Sequence, residues 1–198
     1  MKSTLYPFSA CVLAIAIFAT AGCGILTRRS RTQVGKLPVA TPDPTATPVP
    51  FSIEDKKFLS TASQIFAYHR RLGALARQYG NSEAARGYGE QMEVEMGLAQ
   101  DSLKVLADSK EQKITNEMGA WGKGGLGRVD RPGSQGFDRA FYEELKRSGT
   151  QAYEVFDREF RAVVDGDVKE FVKRWYPVLR DFPREAIKEE TQMDKGRR

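Results

Sequence analysis

Between Ser52 and Glu190 the apolar side chains return every three or four residues, and no stretch alternates apolar with polar. That period belongs to helices with one buried face, so the segment is predicted to be all-α. The first stripe is Phe58, Leu59, Ala62, Ile65, Phe66, Leu72, Leu75, Ala76 and Tyr79. Ser52, with Asp55 after it, is the expected N-cap: its hydroxyl can accept a first-turn amide while the acid meets the positive helix end. Gly80 should stop this helix, and Asn81 or Ser82 should cap the next. The second stripe is Tyr88, Met92, Met96, Ala99, Leu103 and Leu106, whose thioethers read as core filling. Residues 109–135 break the period, and "GAWGKGGLGRVDRPGSQG" is rich in glycine. Lacking a following Lys-Ser or Lys-Thr pair, it is no phosphate loop, and a long crossover is expected. A third stripe holds Phe137, Phe141, Leu145, Ala152, Phe156, Phe160 and Val163. After a turn at 165–167, a fourth holds Val168, Phe171, Val172, Trp175, Val178, Leu179, Phe182 and Ala186. Pro177 and Pro183 fall inside this last helix and should bend it. Two hairpins joined by a long Gly-rich crossover predict a four-helix bundle over residues 52–190, with a basic, frayed tail at 191–198.

Upstream the chain changes character. Residues 1–22 combine Lys2 with an apolar run from Phe8 to Ala21, the plan of an export signal. The run continues to Leu26, close to the ~18 residues that span a bilayer, so an uncleaved N-terminal anchor is the alternative. Ala21, Gly22 and Cys23 resemble the lipobox of bacterial lipoproteins. That resemblance implies cleavage between Gly22 and Cys23 and a diacylglycerol on the Cys23 sulfur. Several acyl chains anchor firmly where one binds only marginally. Gly24 in place of the retention-type Asp implies the outer membrane, with the domain facing the periplasm. Residues 23–51 are then the attachment site and a Pro/Thr-rich linker. In "LPVATPDPTATPVP" each Pro fixes its own φ and biases its predecessor to extended geometry. Such a linker is semi-rigid and reaches up to roughly 80 Å from Cys23 to Pro50. Arg28, Arg29 and Arg31 at its root meet anionic headgroups or simply solubilise it.

Both cysteines, Cys11 and Cys23, precede the linker, so the bundle has no disulfide, thiol nucleophile or Cys-ligated metal. The single histidine, His69, removes multi-His metal sites. It is expected to be exposed or edge-packed beside Arg70 and Arg71, whose charge disfavours an imidazolium. The charge of +5 arises from 31 basic and 26 acidic residues that interleave, so nucleic acid is not an expected partner. Arg70, Arg71, Arg77, Lys173, Arg174 and Arg180 form either a mixed surface or a patch toward anionic lipid or cell-wall polymer. Tyr68, Tyr79, Tyr88, Tyr142, Tyr153 and Tyr176 read as core-rim residues with wet hydroxyls. Trp121 pins the crossover or faces a partner. Trp175 and Tyr176 widen the apolar arc of the fourth helix, which packs on two neighbours or presents a partner surface.

"DKKFLSTAS", "LGALA", "GFDRAFYEE", "EVFDREF" and "YPVLRDF" follow one another in the order export signal, helix pair, long connection, helix pair. In this they resemble the ferritin-like bacterial envelope domain catalogued as domain of unknown function four-one-four-two. The resemblance covers roughly residues 54 to 190 and implies a ferritin-like bundle. Members of that family often carry inward histidines; by eye these positions fall at Met96, Gly149 and Phe182, which cannot replace them as ligands. A ferritin-like di-iron centre needs Glu-x-x-His on two helices and Glu from two more, but Phe66 stands three residues before His69. An all-carboxylate site would draw on Glu93, Glu95, Glu143, Glu144, Glu154 or Glu159, each read as a solvated helix face. The expectation is a non-enzymatic envelope lipoprotein with a structural or interaction role and no catalytic residue, metal or cofactor. Its expected partners are the membrane, through the lipid, and an envelope protein or cell-wall component. The alternatives are a carboxylate-based metal or redox protein, and a membrane-surface or ligand carrier using the bundle interior.

Overall fold

The computed structural model describes residues 51–129 and 134–196. The lipobox-like residues Gly22 and Cys23 and the Pro-rich segment lie outside them. The chain divides into residues 1–44 and 45–198, and the fold described is that of the second unit. It is a bundle of helices: α1 (Ile53–Tyr79), α2 (Glu83–Ser109), α3 (Ala120–Val129), α4 (Phe137–Ala162) and α5 (Gly166–Lys195). No strand occurs among the described residues.

The caps follow from local chemistry. Ser52 Oγ accepts the Asp55 amide at 2.9 Å and the Asp55 carboxylate accepts the Ser52 amide at 3.0 Å, a reciprocal capping box. Ser82, rather than Asn81, caps α2 by accepting the Ala85 amide at 3.1 Å. Asp165 caps α5 by accepting the amides of Asp167 and Val168, so Gly166 and Asp167 already belong to the helix. The turn between α1 and α2 is bound from a distance. Asp138, in the first turn of α4, accepts the amides of Asn81 at 2.7 Å and Ser82 at 2.9 Å.

α1 lies along α2 and α4 along α5. The two hairpins meet through α1 on α4 and α2 on α5, while α3 packs on α4 and α1. The first pair touches backbone to backbone: a Cβ on Gly89 would stand 2.7 Å from the Ala76 Cβ and 2.7 Å from the Gly73 carbonyl oxygen. Aromatic edges knit the hairpins together. Phe58 and Phe156 centroids are 5.0 Å apart, and Phe66 sits 5.6 Å from Phe156, 6.0 Å from Phe171 and 6.1 Å from Trp175. Each such pair adds about 0.5–1.5 kcal/mol beyond the area it buries.

Three expectations are corrected. The Gly-rich crossover contains a helix, α3, because packing on α1 and α4 outweighs its poor intrinsic propensity. Phe160 closes no core; it is 41 % exposed and stacks on Tyr176 at 5.3 Å. The bundle boundary after Glu190 falls inside α5, which continues to Lys195. Pro177 and Pro183 do lie within that helix. Among the described residues no helix is long and apolar enough to cross a membrane.

Candidate functional site

α1 is buried on several sides, and that places two titratable neighbours, Tyr68 and His69, wholly inside the bundle. α4 meets them with Glu144 and Ser148, one turn apart, and α3 closes the far side with Arg128. The Tyr68 hydroxyl donates to Glu144 Oε1. Arg128 Nε donates to Glu144 Oε2 at 2.8 Å, and Arg147, three residues along α4, donates to both carboxylate oxygens. α3 can approach because Gly125 has no side chain: a Cβ there would stand 2.6 Å from Glu144 Oε1. Burial works against a charge on Glu144, but the bonds from Arg147, Arg128 and Tyr68 outweigh it and hold the carboxyl below its usual range. Burial, then the bond to Glu144, pushes the Tyr68 phenol far above its usual range. The result is a carboxylate that stays charged and a phenol that stays neutral at any physiological pH.

His69 occupies the other half of the network. Nδ1 lies 2.9 Å from the Ile65 carbonyl oxygen and Nε2 lies 3.2 Å from Ser148 Oγ. Burial pushes the imidazole down to about 4, against the raising effect of the Ile65 carbonyl and the Glu144 charge. The ring is therefore neutral at pH 7. A carbonyl can only accept, so the proton sits on Nδ1 and Nε2 is bare. The Ser148 hydroxyl also lies 2.8 Å from the Glu144 carbonyl oxygen. Its single proton has three acceptors within reach: the ring, that carbonyl and the Tyr68 oxygen.

The depressed folded value gives a pH signature. His69 contributes stability that is complete above the unfolded value near 6.5 and is lost as pH falls toward about 4. His69→Gln should remove about 2–3 kcal/mol of that acid-side loss. Urea midpoints at pH 7 and pH 4.5 measure it: the variant's midpoint should change less than the parent's, and equal slopes would refute the assignment.

These positions correct the sequence reading of His69 as exposed or edge-packed, of Glu144 as solvated, and of Tyr68 and Tyr142 as wet-rimmed: all four are buried. The Tyr142 hydroxyl and the Trp175 Nε1 are buried without a hydrogen-bond partner. Trp175 is core, 4 % exposed, with the Arg174 guanidinium 5.3 Å from its ring centre. Tyr176 is half-buried and its hydroxyl lies 2.9 Å from both the Tyr153 hydroxyl and Asp157 Oδ1. Trp121 falls on α3, and its side chain lies outside the described residues. Met96, Gly149 and Phe182 are all buried, and two of them meet. A Cβ on Gly149 would stand 2.9 Å from the Phe182 Cβ, and the Phe182 ring lies 5.2 Å from His69. The lone histidine therefore borders a benzyl group there. Of the other acids, Glu143 and Glu154 are exposed, Glu93 pairs with Arg77 at 2.7 Å, and Glu95 accepts from Gln91. Among the described residues no three His, Cys, Asp or Glu side chains converge as a ligand set. The basic positions are interleaved with acids: Lys173 pairs with Glu170 at 2.6 Å and Arg180 with Asp181 at 3.3 Å.

Sequence reasoning passed over Ser148, Arg128 and Arg147. The available signal was the run Glu144, Arg147, Ser148, in which an acid, its i+3 base and an i+4 hydroxyl share one helix face with Leu145 and Ala152.

Fold and site together define a two-hairpin helical bundle with an internally paired polar centre. The chain belongs to the family described as domain of unknown function (DUF4142), whose model matches residues 40–188. No curated protein and no solved structure matches the chain.

Proposed function

We propose that this chain is a non-enzymatic, lipid-anchored module of the bacterial envelope, a helical bundle held on a Pro-rich tether that acts through its surface. The observation that carries this reading is the order of Gly22-Cys23, a Pro-rich segment, and then a capping box at Ser52 that starts the folded domain. Acyl chains on Cys23 would hold the tether at the membrane. The polar centre supports the non-enzymatic reading. Its carboxylate is committed to two arginines and a tyrosine, and its imidazole to a carbonyl and a hydroxyl, which leaves no base aimed at an outside molecule.

Mass spectrometry of the mature N-terminus tests the anchor. A first residue of Cys23 carrying acyl groups is expected, and Cys23→Ala should leave an unprocessed, longer chain. An intact Met1, or cleavage elsewhere with an unmodified Cys23, would overturn the lipoprotein reading.

A further inference from the structure

We propose that Glu159 holds a proton toward Asp55, and that this proton latches the first turn of α1 to the last turn of α4, closing in acid and releasing as the pH rises.

The register brings the two acids together. α1 and α4 run antiparallel, with the Phe58 and Phe156 rings 5.0 Å apart. Asp55 lies three residues before Phe58 and Glu159 three residues after Phe156, so one further helical turn places the carboxyls opposite each other. Asp55 is 2 % exposed and Glu159 is half-buried, which sets the two carboxyls within reach of a hydrogen bond. Ionised carboxylates only accept, so that bond needs a proton on one of them.

Helix geometry decides which. Asp55 stands in the first turn of α1 and accepts the Ser52 amide at 3.0 Å, at the positive end of the helix. Glu159 stands in the last turn of α4, where unpaired carbonyls disfavour a negative charge. The proton therefore belongs on Glu159. The charged groups facing Glu159 are Asp55 and Glu54 of α1 and Arg158 of its own helix. Burial, then the Asp55 charge and bond, push Glu159 up to about 7; Glu54 adds to this and Arg158 opposes it. Asp165, in the turn after α4, is already bound by Lys110 at 2.7 Å and by two backbone amides.

The sign follows. A raised folded carboxyl contributes stability that is complete below the unfolded value near 4.5 and is lost as pH rises through about 7. Ionised Glu159 sets a second negative charge against the residue that closes the capping box. The first turn of α1 then gives way, since the capping box of Ser52 and Asp55 is what holds it. His69 works in the opposite direction over an overlapping pH range, so the readout must be local.

Hydrogen exchange on the full-length protein in detergent micelles supplies it. Amides of Lys56, Lys57, Phe58 and Leu59, corrected for intrinsic exchange, should lose about tenfold protection between pH 5.5 and 8. Glu159→Gln keeps a neutral donor toward Asp55 and should hold that protection constant. Equal pH dependence in the variant and the parent, or none in the parent, would overturn the latch. If the variant fails to fold, ¹³C-glutamate NMR of the parent decides: a Glu159 carboxyl midpoint near 7 supports the proton on Glu159, and one near 4.5 refutes it.

Discussion

Glu144→Gln is expected to lower the thermal midpoint by roughly 10 °C, the equivalent of about 3 kcal/mol in a domain of this size. An amide keeps the shape but cannot answer two guanidiniums and a phenol at once. The Tyr68 hydroxyl still finds an oxygen, but Arg147 and Arg128 lose their anion. Glu144 is the buried member of this network, its side chain 2 % exposed, so the amide that replaces it is left desolvated with its own donors turned toward donors. The half of the network facing solvent should matter less. The Arg128 side chain is 52 % exposed, so Arg128→Ala should cost under about 1 kcal/mol. Circular dichroism melts of the two variants at pH 7 make the comparison. Glu144→Gln melting within two or three degrees of the parent would mean that the centre is solvated and the network incidental.

The second large effect is expected at Gly89. Gly89→Ala puts a methyl 2.7 Å from the Ala76 Cβ and 2.7 Å from the Gly73 carbonyl oxygen, and 2.5 Å from the Arg77 amide nitrogen. No side-chain rotation relieves contact with backbone, so the helices must separate along the interface that joins the first hairpin. The expected loss is about 3 kcal/mol, at the upper end for overpacking. Two residues earlier, a Cβ on Gly87 would meet nothing within 4 Å. Gly87→Ala should therefore stabilise α2 by about 0.5–1 kcal/mol, through helix propensity alone. Urea unfolding should shift in opposite directions for these two substitutions. Shifts of the same sign would contradict the close crossing of α1 and α2.

That pair also marks where the sequence stops being informative. In "RGYGE" the two glycines look alike; only the neighbouring helix, which chain order does not reveal, separates them. The stripes, the N-cap at Ser52 and the stop at Gly80 were legible because each depends on residues within one or two turns. The site was not. His69 was assessed by its flanking arginines, yet successive residues on a helix point about 100° apart, and Arg70 and Arg71 are exposed while His69 is buried. Glu144 was read as a surface acid because its partners lie 76 residues upstream, on Tyr68, and 16 residues upstream, on Arg128. The glycines that argued against a helix at α3 are what let it sit on Tyr68 and Glu144. Propensity and tertiary fit point in opposite directions there, and fit decides.

The bond from Asp138 to the amides of Asn81 and Ser82 fixes a sequence of events as well as a shape. A ribosome delivers the first hairpin before the residue that holds its turn, which follows 56 and 57 positions later. Until α4 appears, α1 also lacks the aromatic partners of Phe58 and the carboxylate that receives Tyr68. The helix made first is thus the one completed last. Any factor that handles the nascent chain meets α1 with its apolar and polar interior faces both open.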